Sequence, residues 1–222
     1  ILDVNLLIEL LQDLGVKVDR LGRHTCVFQA DNVNIDYLNT EEFRKKGSRL
    51  RGSVMIAGPM LARFKKASIP KPGGDKIGRR GVDTHVIGFQ KLGADFHYNM
   101  QTYCLEFTTS SLKGTYMMLD EPSVTGTANI VMAAVMAKEI TTIYNAACEP
   151  YIQQLCKMLN SMGADISGIS SNLLIIKGVK ELHGTTHTIL PDMIEVGSFI
   201  GLAAMTQSNI LSAPMTGQPP EC

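Results

Sequence analysis

Tryptophan is absent from the 222 residues, aromatics of all kinds make up 6% of them, and no run of about eighteen apolar residues occurs, which excludes a membrane-spanning helix. Surplus charge is also missing. With 21 Lys/Arg against 21 Asp/Glu, nothing global marks a partner of nucleic acid or membrane, so only the local distribution of charge is informative. The five cysteines (26, 104, 148, 156 and 222) lack CxxC pairing and the density of a disulfide scaffold. They read as reduced thiols in a cytoplasmic protein, and none looks like a metal ligand. Only one close histidine pair exists, His183 and His187, in a Gly/Thr-rich stretch, so no metal or cofactor is expected. No signal peptide opens the chain, and Ile1 in place of Met leads us to expect a natural N-terminus further upstream.

What is present is unevenly placed. Between Arg44 and Arg80 stand twelve Lys/Arg and a single acid, Asp75. More than half of the basic residues thus fall in one sixth of the chain, which points to an anionic ligand there, although Arg44 to Lys46 alone read as a solvated face. The stretch lacks interleaved aromatics, so RNA is not the expected ligand. Its last part, KPGGDKIGRR (71–80), sets Asp75 after two glycines and among Lys71, Lys76, Arg79 and Arg80. Gly-Gly lets a backbone close over a ligand, and the cations would hold phosphate or carboxylate oxygens. We read a cationic lid carrying one acid. The four cations lower the pKa of Asp75 while burial against an anionic substrate raises it, and proton donation needs burial to win.

A period of about seventy residues underlies the rest. LLQDLGVKVD (10–19), GFQKLGADFH (88–97) and MLNSMGADIS (158–167) each end an apolar-periodic helix on a glycine, namely Gly15, Gly93 and Gly163. A second set of echoes, 50–64, 119–138 and 190–206, is apolar nearly all round and rich in Ala, Gly and Met, as core helices are. Strands are predicted at 67–70, 95–99, 104–108, 115–119, 141–145, 166–169 and 173–177. Each unit reads helix, three strands, helix, strand, and a polar, basic insertion at 39–47 lengthens the first. Such repetition predicts an α/β fold of three pseudo-symmetric units with buried helices and outer sheets. Residues 1–211 form that domain, and the Pro/Gly-rich 212–222 read as a linker or non-native tail.

Ser123 opens SVTGTANIVMAA as an N-cap, and the amides that follow, through Gly126, are a candidate phosphate seat; an ordinary cap is the alternative. Arg51 and Arg63 flank the first core helix as phosphate ligands or surface cations, and Arg51 is the better placed.

LRGSVMIAGPMLARF and PKPGGDKIGRRGVDTHVIGFQKLGA, followed by PSVTGTANIVMAA, NAACEPYIQQLCKMLNSMGADI and LPDMIEVGSF, closely resemble the UDP-N-acetylglucosamine enolpyruvyl transferase family over residues 1–211. The resemblance implies the inside-out α/β barrel of EPSP synthase-like enzymes, in which two three-repeat domains close over phosphoenolpyruvate and UDP-N-acetylglucosamine in an early step of peptidoglycan synthesis. It implies that Asp75 is the proton donor, in a position where the family usually has cysteine. It places Arg51 on the sugar nucleotide, Arg80, Gly81, Val82, Asp83 and Thr84 on the uridine and phosphate parts, with Arg80 also facing phosphoenolpyruvate, and Glu121, Pro122, Ser123 and Val124 on the diphosphate. Gly81 stands where proline is usual, and Glu121 where lysine is common. The family's opening residues and second domain, with its aspartate base, are missing, so the isolated chain is expected to be inactive. The competing readings are a non-catalytic nucleotide-sugar or phosphate-binding domain and a shikimate-pathway enolpyruvyl transferase.

Overall fold

The structure, a computed structural model, describes residues 2–74 and 81–211. The chain divides into two compact units, 1–186 and 187–222.

The first unit begins with α1 (Leu2–Asp13), the hairpin β1 (Lys17–Gly22) and β2 (Thr25–Gln29), a 3₁₀ turn (Ile35–Asn39) and α2 (Glu41–Gly47). A second 3₁₀ turn (Arg51–Ile56) runs directly into α3 (Ala57–Phe64), then β3 (Lys66–Pro70), α4 (Asp83–Lys91), β4 (Asp95–Asn99) and β5 (Cys104–Thr108). β6 (Tyr116–Met118), α5 (Val124–Ala134), β7 (Ile140–Tyr144), α6 (Pro150–Ser161), β8 (Asp165–Ser167) and β9 (Leu173–Lys177) follow. Every predicted strand is found within two residues of its expected ends. Beyond the hairpin, the strands make an antiparallel sheet in the order β3-β5-β4 and a mixed sheet in the order β6-β7-β9-β8, in which β6 and β7 run parallel.

The seventy-residue echo has a physical counterpart at the ends of α1, α4 and α6. Gly15, Gly93 and Gly163 have φ of +92°, +88° and +100°, and each following residue reaches back five positions, Val16 to Leu11, Ala94 to Phe89 and Ala164 to Leu159. These are Schellman motifs, in which a left-handed glycine lets the chain reverse and satisfy the last helical carbonyls.

Only the unit between α4 and α5 holds all three predicted strands. In the first unit the polar stretch 39–47 is mostly helical instead: Thr40 Oγ1 caps α2 by accepting from the Phe43 amide. Lys45 and Lys46 pair with Glu41 and Glu42 one turn earlier, and Lys46 also reaches Asp13 of α1. Tyr37 donates to the same Asp13 carboxylate, and burial together with that anion raises its pKa to about 12. The Arg44 to Lys46 cluster is therefore a solvated, partly bridged face.

Helices α3 and α5 form the interior, as their Ala/Gly/Met composition predicts. Eight of the eleven residues of α5 are buried, and its neighbours approach closely because glycine lies at the crossings. A Cβ at Gly58 would stand 2.4 Å from the Asn129 carbonyl oxygen, and one at Gly88 would stand 2.3 Å from Ile130 Cδ1. The sheets lie outside this core with alternate residues turned inward: Thr141 and Ile143 of β7, and Leu174 and Ile176 of β9, are buried. Phe107 fills the layer beneath α4, its ring edge-on to Phe89 at 5.1 Å and tilted against Phe96 at 5.2 Å.

In the second unit, α7 (Met193–Thr206) is capped by the Asp192 carboxylate, which accepts from the Ile194 and Glu195 amides. Residues 190–206 were expected to form a core helix, but none of α7 is buried. The physical reason is local: no other helix or strand is described in residues 187–211, so Ile194, Phe199, Ile200 and Leu202 have nothing within the unit to pack against. No helix among the described residues is long and apolar enough to cross a membrane.

Candidate functional site

Three helical segments begin at one place. The 3₁₀ turn before α3 opens with Arg51, whose Nη2 donates to the Gly81 carbonyl at 2.8 Å. α4 opens at Asp83, and the Thr84 hydroxyl donates to Glu121 Oε1 at 3.3 Å. α5 opens at Val124 after Ser123, whose Oγ accepts from the Gly126 amide at 3.2 Å. Packing at the crossing is tight: a Cβ added at Gly126 would lie 2.7 Å from Thr84 Cγ2. Arg51, Gly81, Val82, Asp83, Thr84, Glu121, Pro122, Ser123 and Val124, singled out from three stretches of sequence, are thus brought together. Asp75 and Arg80 lie outside the described residues.

This corner has the groups with which an anion could be received. A helix start exposes amides without intrahelical partners and carries the positive end of the helix dipole. Here the starts of α4 and α5 meet beside a guanidinium. Arg63, the other candidate cation, is used elsewhere: its Nη1 donates to the Ala30 carbonyl and its guanidinium lies 5.0 Å from the centre of the Phe64 ring. Glu121 is exposed and its carboxylate serves Thr84 as an acceptor. At Gly81 a Cβ would stand 2.2 Å from Asp83 Oδ2. Any larger residue there requires the Asp83 carboxylate to swing aside.

Residues 71–74, which lead into the stretch expected to form a lid, are built on the same corner. Lys71 continues the β3–β5 pairing by donating its amide to the Tyr103 carbonyl at 3.1 Å. A Cβ at Gly73 would fall 1.8 Å from the Ser48 carbonyl oxygen, and Gly74 has φ of +92° with Arg51 Cβ 3.2 Å from where its own Cβ would be. Both glycines are therefore required, the first by close backbone approach and the second by its left-handed conformation. Together they hold residues 73–74 against the segment from Ser48 to Arg51.

Sequence reasoning missed two residues beneath the site. Asn129 and His85 are 0% and 3% exposed. Asn129 Oδ1 accepts from the Gly58 amide at 2.9 Å, and its Nδ2 contacts the Val54 carbonyl at 2.8 Å and His85 Nδ1 at 2.9 Å. His85 Nε2 contacts Thr125 Oγ1 at 3.2 Å. Burial, and then the charge of Arg51, lower the His85 pKa to about 4, so the ring is neutral. The available signal was a lone asparagine within the apolar run ANIVMAA. Among the described residues no group of three or more His, Cys, Asp or Glu is placed to hold a metal ion.

Helices are buried under outer sheets, and the starts of α4 and α5 meet beside Arg51. The chain matches the EPSP synthase (3-phosphoshikimate 1-carboxyvinyltransferase) family over residues 1–216 and belongs to it. Within that family it is 67% identical over 213 residues to the UDP-N-acetylglucosamine 1-carboxyvinyltransferase of Porphyromonas gingivalis, covering 95% of this chain and 49% of that protein. It is 68% identical over 210 residues to the protein of the same name from Bacteroides fragilis, covering 95% and 48%. The chain therefore spans about half the length of these relatives. Among solved structures, the enolpyruvyl transferase NikO from Streptomyces tendae matches with a TM-score of 0.74 at 16% identity, over 90% of this chain and 46% of that one. EPSP synthase from Acinetobacter baumannii matches with a TM-score of 0.59 at 18% identity, over 82% and 40%. These distant structures establish the EPSP synthase-like fold, as the resemblance implied.

Proposed function

We propose that this chain is the lid-bearing part of an enzyme that transfers the enolpyruvyl group of phosphoenolpyruvate to the 3-hydroxyl of UDP-N-acetylglucosamine, with release of phosphate, in the cytoplasm. The observation that carries the proposal is the convergence of Arg51, Gly81–Thr84 and Glu121–Val124 on one corner beneath the lid root. The 67–68% identity to proteins of that name favours UDP-N-acetylglucosamine over a shikimate-type acceptor.

In this reading the α5 start and Arg51 receive the diphosphate and sugar, and Gly81 to Thr84 line the uridine. Arg80 faces both anions. Asp75 on the closed lid gives its proton to the methylene carbon of phosphoenolpyruvate while the sugar oxygen bonds to C2. A base in the remainder of the protein takes the hydroxyl proton. Loss of a proton from the new methyl group, with departure of phosphate, then restores the carbon–carbon double bond. The sequence is an addition across the carbon–carbon double bond followed by an elimination, with no net oxidation or reduction, so it calls for no redox cofactor. Excluding water as the lid closes raises the carboxyl pKa towards the value a donor requires.

The test is twofold. UDP-N-acetylglucosamine titrated into the chain should shift the amides of Gly81 to Thr84 and Val124 to Gly126, and phosphate release should require the full-length protein. Binding without turnover at full length would establish the non-catalytic module instead. An absence of binding in both forms would refute the proposal.

A further inference from the structure

The four contacts of Asn129 and His85 determine where every proton lies. Asn129 has one amide oxygen, occupied by the Gly58 N–H, and two amide hydrogens. One is donated to the Val54 carbonyl and the other to His85 Nδ1. Nδ1 is therefore an acceptor, and the neutral ring carries its proton on Nε2, from which it donates to Thr125 Oγ1. All of the pair's hydrogen-bonding groups are satisfied without water.

Each end of this relay falls within one helical turn of a candidate ligand-binding residue. Val54 lies three residues after Arg51 in the same 3₁₀ turn. His85 follows Thr84 in the first turn of α4, and Thr125 follows Val124 in the first turn of α5. Apolar side chains would have filled the same space and let the three starts slide against one another, whereas directional bonds fix their separation and rotation.

We infer that His85 and Asn129 are positioning residues: a single hydrogen-bonded relay holds Arg51 and the first turns of α4 and α5 at the spacing that one nucleotide-sugar diphosphate requires. The inference rests on the proposed function for the ligand, but not for the relay.

The test uses three variants of the chain. His85→Leu removes both ring contacts. His85→Asn keeps an acceptor at the Nδ1 position for Asn129 and loses the link to Thr125, and Thr125→Val removes only the outer acceptor. UDP-N-acetylglucosamine should bind about tenfold more weakly to His85→Leu, the size expected for one misplaced buried hydrogen-bonding group. His85→Asn should recover part of that loss. In the unaltered chain the imidazole nitrogen spectrum should show a protonated Nε2 and a bare Nδ1 at neutral pH. Should His85→Leu fail to fold, Thr125→Val carries the binding arm, with a smaller loss expected. Unchanged affinity in a folded His85→Leu, or a spectrum with the proton on Nδ1, overturns the inference. If the unaltered chain binds no UDP-N-acetylglucosamine, the proposed function has failed for this chain. The relay is then judged by whether His85→Leu moves the amide resonances of Arg51, Val54 and Gly126, and unmoved resonances overturn it.

Discussion

Acid should weaken this protein through one imidazole. The His85 pKa is about 4 in the folded chain against 6.5 for a free histidine, because the ring is buried and Arg51 is near. Between those values the unfolded chain binds a proton that the folded chain refuses, so stability rises with pH. The contribution is fully present above pH 6.5, is lost as pH falls towards 4, and does not change further below that. The gap corresponds to about 3 kcal/mol in all, of which about 2 kcal/mol is gone by pH 5. Glu41, whose carboxyl is lowered by its bond to Lys45, has the same sign but is exposed. Tyr37 and Cys156 are raised to about 12 and 11 and titrate far above this range. The assay is urea unfolding of the chain and of His85→Asn at several pH values between 5 and 8. The difference between the two curves isolates the imidazole, since Glu41 is common to both. The unaltered chain should lose about 2 kcal/mol more than the variant over that range, a midpoint difference on the order of 1 M urea. Parallel losses would show that the ring is not held neutral by the fold, and the assigned protonation of the relay would fall with it.

Gly58→Val places branched carbon against the backbone of α5 at Asn129 and should destabilise the chain by at least about 2 kcal/mol in the same unfolding assay, with Ser53→Thr, at a buried hydroxyl position, as a milder comparison. Ser123→Ala removes the acceptor for the Gly126 amide; it should cost about 1 kcal/mol and weaken UDP-N-acetylglucosamine binding, read by denaturation and by titration. Phe89→Ala opens a cavity where the ring meets Phe107 and should cost about 3 to 5 kcal/mol. In the full-length protein the epoxide fosfomycin should leave no covalent adduct at residue 75, because a carboxylate is a weaker nucleophile than a thiolate, and Asp75→Cys should gain one by mass; modification of the unaltered protein at residue 75 would contradict this.

Local regularity made most of the fold legible. The three glycines announced their Schellman turns because a left-handed helix end has few residue choices, and Ser123 announced its cap because a hydroxyl before an apolar helix accepts a first-turn amide. The core helices were marked by composition, since Gly58 of α3 stands where that helix crosses α5 too closely for a side chain. Contacts between distant segments left no such mark. Asn129 meets His85 across 44 positions and Val54 across 75, and neither partner breaks a local rule. Helix α2 looked like a polar insertion because its partners, Asp13 and Tyr37, lie on other segments. The apolar pattern of α7 specifies a helix that can be buried, but burial also needs a covering surface, which residues 187–211 do not supply. The candidate site was legible as short motifs, and their convergence was not.

Phosphate release by the full-length protein carrying Asp75→Ala, measured beside the unaltered enzyme at saturating UDP-N-acetylglucosamine and phosphoenolpyruvate, tests the central claim most directly. Turnover should fall by at least about a hundredfold, the usual contribution of a positioned general acid, while the nucleotide sugar still binds at the corner formed by Arg51, Thr84 and Ser123. Turnover that persists without the carboxyl group would mean that the lid does not deliver the proton.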